Sequence, residues 1–140
     1  MSGPALDRTA GLVLGLASTA MPFAGSTDEQ AERWLRLLRS YGSAALVLAA
    51  LGVSEHPLEA EPTERVKAPS GQSDDVAEQV AEQAGREAAL RGAKRVETAD
   101  LLAGVLTVYG QAFERVLHRH GCEAWQLRQL LELERGAMAT

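Results

Sequence analysis

The feature that most restricts what this chain can fold into is an internal repeat. Leu37-Leu38-Arg39-Ser40-Tyr41-Gly42-Ser43-Ala44 aligns with Val105-Leu106-Thr107-Val108-Tyr109-Gly110-Gln111-Ala112 at an offset of 68 residues. After one inserted residue, Leu48-Ala49-Ala50-Leu51-Gly52-Val53 aligns with Leu117-His118-Arg119-His120-Gly121-Cys122. Each copy places a helix, a Tyr-Gly break, a second helix and a Gly stop in the same order. A repeated helical unit buries its apolar faces by stacking one copy on the other. The expectation is a tandem pair with pseudo-two-fold character, and the seam between copies is its natural groove.

Composition supports helices on both sides of that seam. Of the 140 residues 46% are hydrophobic but only 4% are aromatic, so Leu, Ala and Val carry the apolar mass. Such side chains lose little rotamer freedom in a helix. A chain of this length buries a core without disulfide or metal staples.

Gly and Pro cut the sequence into helix-length pieces. The first runs from about Ala5 to Met21 and stops before Pro22. Thr27 and Gln30 have capping-box spacing at the start of the second, which carries Trp34, Leu35, Leu37 and Leu38 to Tyr41. A third covers Ser43 to Leu51 and ends at Gly52, which suits the left-handed position after a helix. Glu55 to Gln72 is polar and holds Pro57, Pro62 and Pro69, with at most one helical turn near Leu58. Ser73 caps a long helix that ends at Gly92, with Asp74 and Asp75 where the helix dipole favours acids. Thr98 caps the next, up to Tyr109; another spans Gln111 to His120; the last runs from Glu123 to about Arg135. In that last helix Trp125, Leu127, Leu130 and Leu131 are the apolar positions. Ala77, Ala81, Ala84 and Ala88 form a face of small side chains that lets another helix come close. The fold class is therefore all-α: about eight helices in two four-helix units. Repeat one spans about 5–60, a linker about 61–72, and repeat two about 73–135.

Several function classes lack support. Residues 1–70 hold six cationic and eight anionic side chains and residues 71–140 hold eight and eleven, so neither half is a basic module for nucleic acid. Cys122 is the only cysteine, which leaves no intrachain disulfide or thiolate cluster and fits a reducing cytosol. It reads as a small buried hydrophobe. The apolar run Leu12 to Ala20 resembles a short signal-peptide core, but Asp7 and Arg8 leave no positive region before it, and it is too short to span a bilayer. His118 and His120 sit two apart on a helix, so they point about 200° away from each other and do not chelate one ion. His56, beside Pro57, reads as a surface residue. Glu82 and Arg86 form a favourable i,i+4 pair, and Arg91, Lys94 and Arg95 a small basic loop cluster. No Ser-His-Asp or Cys-His spacing occurs, so no enzyme, cofactor or metal site is expected.

The second copy resembles the Clp N-terminal repeat, the double helical module at the front of ClpA-, ClpB- and ClpC-type AAA+ unfoldases. The likeness runs through Arg86-Glu87-Ala88, Gly92, Val96, Thr98, Asp100-Leu101-Leu102, Gly104 and Val105-Leu106, and on to Leu117 and Gly121. The family commonly reads R-E-A-x-x-x-G-x-x-x-I-x-T-E-H-[IL]-L-x-G-[LI] here. In copy one, Leu6-Asp7-Arg8 resembles the opening T-D-R-A, and Leu48 to Val53 resembles L-x-x-L-G-[VI]. The resemblance implies a non-catalytic docking platform for adaptor proteins, substrate segments or, in actinobacterial ClpC types, cyclic peptide antibiotics. The implied surface is the first helix of each repeat. By motif position it comprises Leu6, Ala10, Val13 and Leu14, with Gln72, Ala77, Val80 and Ala81. The sequence departs from the family at Ala5 and Gln72, where aromatics are usual, and at Ala99, where the acid of T-E-H stands. Phosphoarginine binding through that acid is therefore not carried over.

No G-x-x-x-x-G-K-[ST] phosphate loop occurs, so no ATPase is encoded in these residues. The expectation is a free-standing, cytoplasmic relative of Clp N-domains. It would bind a peptide, an adaptor, a Clp protease component or a cyclic peptide ligand, without nucleic acid or membrane. It would act on Clp-dependent proteolysis as an adaptor or as a decoy that sequesters ligands. The alternative is a ligand-responsive regulator linked to transcription, whose discriminating feature, a basic recognition helix, is absent from the sequence.

Overall fold

A computed structural model describes residues 5–20, 25–53 and 73–139, and the side chains of 73–75 and 134–139 lie outside the description. The expected turn near Leu58, His56, the linker and the Ser73 cap fall outside it too. Seven helices are described: α1 (Arg8–Ala20), α2 (Thr27–Ser40), α3 (Gly42–Ala50), α4 (Ser73–Leu90), α5 (Thr98–Tyr109), α6 (Gln111–Arg119) and α7 (Ala124–Ala139). The described residues are all-α apart from one short pairing. Strand β1 (Ala5–Leu6) runs parallel to β2 (Arg95–Val96), with Ala5 opposite Arg95 and Leu6 opposite Val96.

That pairing corrects the expected first helix. Asp7 donates its amide to the Val96 carbonyl at 3.0 Å and accepts the Ala10 amide on Oδ1 at 2.8 Å. Asp7 thus ends the strand and caps α1, so the helix starts at Arg8 rather than Ala5.

Two other caps fall one residue from where spacing put them. Ser26, not Thr27, caps α2: its hydroxyl accepts the Glu29 amide at 3.1 Å, and Glu29 reaches back to the Gly25 amide at 2.9 Å. At α5 the cap is Glu97, in a reciprocal capping box with Asp100. This releases the Thr98 hydroxyl for a different task. It accepts the Ala44 amide at 2.8 Å and donates to the Tyr41 carbonyl at 3.1 Å, so it caps α3 from across the core. Ser43, at the start of α3, returns the favour by accepting the Ala99 amide of α5 at 3.1 Å.

The C-terminal stops of α3 and α6 match bond for bond. Val53 donates to the Leu48 carbonyl at 3.0 Å and Cys122 to the Leu117 carbonyl at 2.9 Å, each across a left-handed glycine, Gly52 or Gly121. These are Schellman closures, and they carry the buried Val53 and Cys122 into the core.

Helix α2 packs on α6, α3 on α5, α1 on α4, and α2 also meets α5. The core is one cluster centred on fully buried Trp34, Leu35, Leu38, Leu101, Leu102, Phe113 and Leu117. The closest approach is between α4 and α5. A Cβ built on Gly104 would lie 2.9 Å from the Val80 carbonyl oxygen and 3.3 Å from the Ala84 amide nitrogen. Small residues on both helices make that contact possible, as the alanine face of α4 foretells: Ala84 and Ala88 are fully buried.

Three surface expectations need correction. Trp125 is 63% exposed, although Leu127 and Leu131 of the same helix are buried. Arg86 donates to Gln83 at 3.5 Å, and no Glu82–Arg86 ion pair forms among the described residues. Arg91 leaves the expected loop cluster and turns inward to Asp100.

Candidate functional site

The seam between α1 and α4 is a groove of about 290 Å³. Leu14 and Ser18 form its α1 wall, and Ala77, Glu78 and Ala81 its α4 wall. Residues three and four apart share one helix face, so each wall is a single stripe of its helix. Alanines on α4 leave the groove its width, and α1 carries no charged side chain between Thr9 and Ala20.

The residues picked out from the sequence divide into three groups. Leu14, Ala77 and Ala81 come together in the groove. Ala10, Val13 and Val80 have no exposed surface, so their side chains support the walls from within rather than meet a ligand. Leu6 lies in β1, 43% exposed and not part of the lining, while Gln72 lies outside the described residues. Ser18 and Glu78 were not singled out, yet they line the groove. Their signal was helical spacing: Ser18 is four residues after Leu14, and Glu78 three before Ala81.

No protein-family model matches the chain, and no curated protein matches it.

A second, larger groove of about 620 Å³ lies over the start of α2 and along α6, and it is charged. Its three carboxylates already have side-chain partners. Arg115 makes two bonds to Asp28, at 2.7 and 3.3 Å; His118 Nδ1 is 2.9 Å from Glu123; Arg128 is 3.7 Å from Glu114. The bond from Arg115 holds the Asp28 carboxyl below its ordinary value, against a smaller opposing effect of burial. Internal pairing of this kind leaves less charge for a ligand, so the smaller apolar seam is the better binding candidate.

The remaining polar groups serve the fold. Arg91 grips Asp100 with two bonds, 3.0 and 2.6 Å, and both side chains are at least nine-tenths buried. The Asp100 bond raises the Arg91 guanidinium above its ordinary value, and Asp100 also accepts the Glu97 amide at 2.9 Å. Trp34 donates its indole N–H to the Tyr109 hydroxyl at 3.0 Å, which donates to Gln30 at 2.8 Å. Burial pushes the Tyr109 phenol up to about 12, with the Trp34 bond acting weakly the other way.

His118 and His120 do turn to different carboxylates. His120 Nε2 lies 3.0 Å from Glu32 in a nearly buried pair, out of reach of a substrate. Burial raises the Cys122 thiol, which disfavours the nucleophilic thiolate. Among the described residues no group of three or more His, Cys, Asp or Glu side chains could hold a metal ion. No described helix is long and apolar enough to cross a membrane.

Proposed function

We propose that this chain is a non-catalytic peptide- and adaptor-binding module of the Clp N-domain type, and that it modulates Clp-dependent proteolysis from the α1–α4 groove. The observation that carries the reading is the groove itself: it lies between the two helices that open the two sequence repeats, where the resemblance puts the docking surface.

The packing is consistent with two copies. Exchanging α2 with α5 and α3 with α6 turns the α2–α6 contact into the α5–α3 contact, and leaves α1–α4 and α2–α5 as self-pairs. The matching closures at Gly52 and Gly121 obey the same exchange. On this reading repeat one comprises α1 to α3 and continues into the stretch outside the description, while repeat two comprises α4 to α7.

Affinity capture from the native host tests the proposal, using the intact chain beside Ala81→Arg, which puts a long cation into the half-buried groove wall. Clp subunits, their adaptors or their substrates should be enriched by the parent and lost with the variant. Absence of every Clp component and of any peptide ligand would overturn the reading. Adding the purified chain to a reconstituted Clp protease then separates the two modes of action: an adaptor redirects or speeds degradation, whereas a decoy slows it.

A further inference from the structure

The surroundings of ten glycines are described, and the fold accounts for seven of them. Gly42, Gly52, Gly92, Gly110 and Gly121 have positive φ. Gly104 permits the α4–α5 approach, and Gly25 sits against Glu29, which binds its amide. Gly11, Gly15 and Gly85 are different. All three are inside helices, where glycine is unfavourable, and a Cβ on any of them would meet nothing within 4 Å. Nothing within the described molecule requires their missing side chains.

All three lie on the two helices that frame the groove. Gly11 precedes Leu14 by three residues and Ser18 by seven; Gly15 precedes Ser18 by three; Gly85 follows Ala81 by four and Glu78 by seven. Those spacings continue the groove stripes along their own helix faces. The backbone is therefore laid bare along both rims, the arrangement that lets a further helix approach closely. The cavity, near the lower limit for a small-molecule site, has room for a few side chains of such a helix rather than for a compact ligand.

Charge fixes the other half of the description. Glu78 lines the groove and Glu82 follows one turn later, both exposed, and neither has a hydrogen bond or ion pair among the described residues. The α1 wall opposite is uncharged from Thr9 to Ala20, with Leu12 and Leu16 exposed beyond the rim.

We propose that the groove receives a basic amphipathic helix of a partner protein, its apolar and small residues seated between the glycine rims and its Lys or Arg residues facing Glu78 and Glu82. This rests on the docking role assigned to the groove above, and it specifies the occupant.

The probe is a fluorescent 18-residue peptide with Leu and Ala on one helix face and Lys on the other, followed by anisotropy against the intact protein. Two companions are the same peptide with Glu for Lys, and one interrupted by a central proline. The parent protein should bind the Lys peptide at least tenfold more tightly than either companion. Glu78→Lys should remove most of that preference for Lys over Glu, whereas Glu132→Lys on α7, an equal change in net charge, should not. Gly85→Leu should weaken binding at least tenfold while circular dichroism shows the fold intact. Equal effects of Glu78→Lys and Glu132→Lys, or no effect of Gly85→Leu, would overturn the proposal. Tight binding of the proline peptide that Gly85→Leu still abolishes would also overturn the helical occupant, yet leave the groove a peptide site. The capture experiment, which reads Clp partners irrespective of conformation, tests the broader role separately.

Discussion

Thr98→Val keeps the shape of a fully buried side chain and removes the hydroxyl that closes the start of α3. The Ala44 amide and the Tyr41 carbonyl lose partners at 2.8 and 3.1 Å, in a place where water does not readily replace them. A buried donor stripped of its acceptor costs about 1–3 kcal/mol. The added methyl returns up to about 0.8 kcal/mol. The net expectation is a loss of about 2 kcal/mol, or roughly 4–8 °C in Tm for a domain of this size. Urea unfolding followed by far-UV circular dichroism measures it. Thr98→Ser, which keeps the hydroxyl, should stay closer to the parent than Thr98→Val. Ser43→Ala strips the matching bond from the half-buried Ala99 amide and should cost about 1 kcal/mol. A Thr98→Val protein within about 0.5 kcal/mol of the parent, with Thr98→Ser less stable than it, would refute capping across the core.

Three further outcomes follow from other contacts. Gly104→Ala should destabilise by about 1–3 kcal/mol in urea, because the new methyl meets backbone of α4 that cannot rotate aside; a gain, as expected for this change in an open helix, would contradict the close approach. Asp100→Ala leaves the Arg91 guanidinium and the Glu97 amide without their acceptor, and should cost about 3–5 kcal/mol by chemical denaturation, with Asp100→Asn costing less. Tyr109 favours its protonated form when folded, since its pKa rises from 10.0 to about 12. Its contribution should be complete below pH 10 and disappear as pH rises towards 12, a decline in Tm that Tyr109→Phe should lack.

The parts of this fold that were legible from sequence are those fixed by nearby residues. Gly52, Gly92 and Gly121 stop helices because the left-handed turn is a local matter, and Tyr-Gly marks the α5–α6 corner for the same reason. What escaped was decided by partners distant in sequence. Thr98 looks like a cap for its own helix, but Glu97 and Asp100 supply that cap, which frees Thr98 for α3, 54 residues away from Ala44. Arg91 reads as a loop cation until Asp100 is brought beside it. Ala5 and Leu6 form a strand only because Arg95 and Val96 lie alongside. At the groove, motif position names residues of α1 and α4 but says nothing of the depth of each. Ala10, Val13 and Val80 share those helices with Leu14 and Ala81, and the approach of neighbouring helices decides which are sealed.

The distribution of polar contacts makes the groove open to experiment. The bonds of Thr98, Ser43, Trp34, Tyr109, Glu32 and His120 tie α2, α3, α5 and α6 to one another, and the Arg91–Asp100 pair anchors the start of α5. The groove walls of α1 and α4 present small and apolar side chains instead, with Glu78 at the edge. Substitutions on the rims therefore disturb no bond that holds the core, and at Gly11, Gly15 and Gly85 Ala itself should raise stability, by about 1 kcal/mol each at most. A rim variant that becomes more stable while binding more weakly would separate the two demands. It would place the cost of those glycines in recognition rather than in folding.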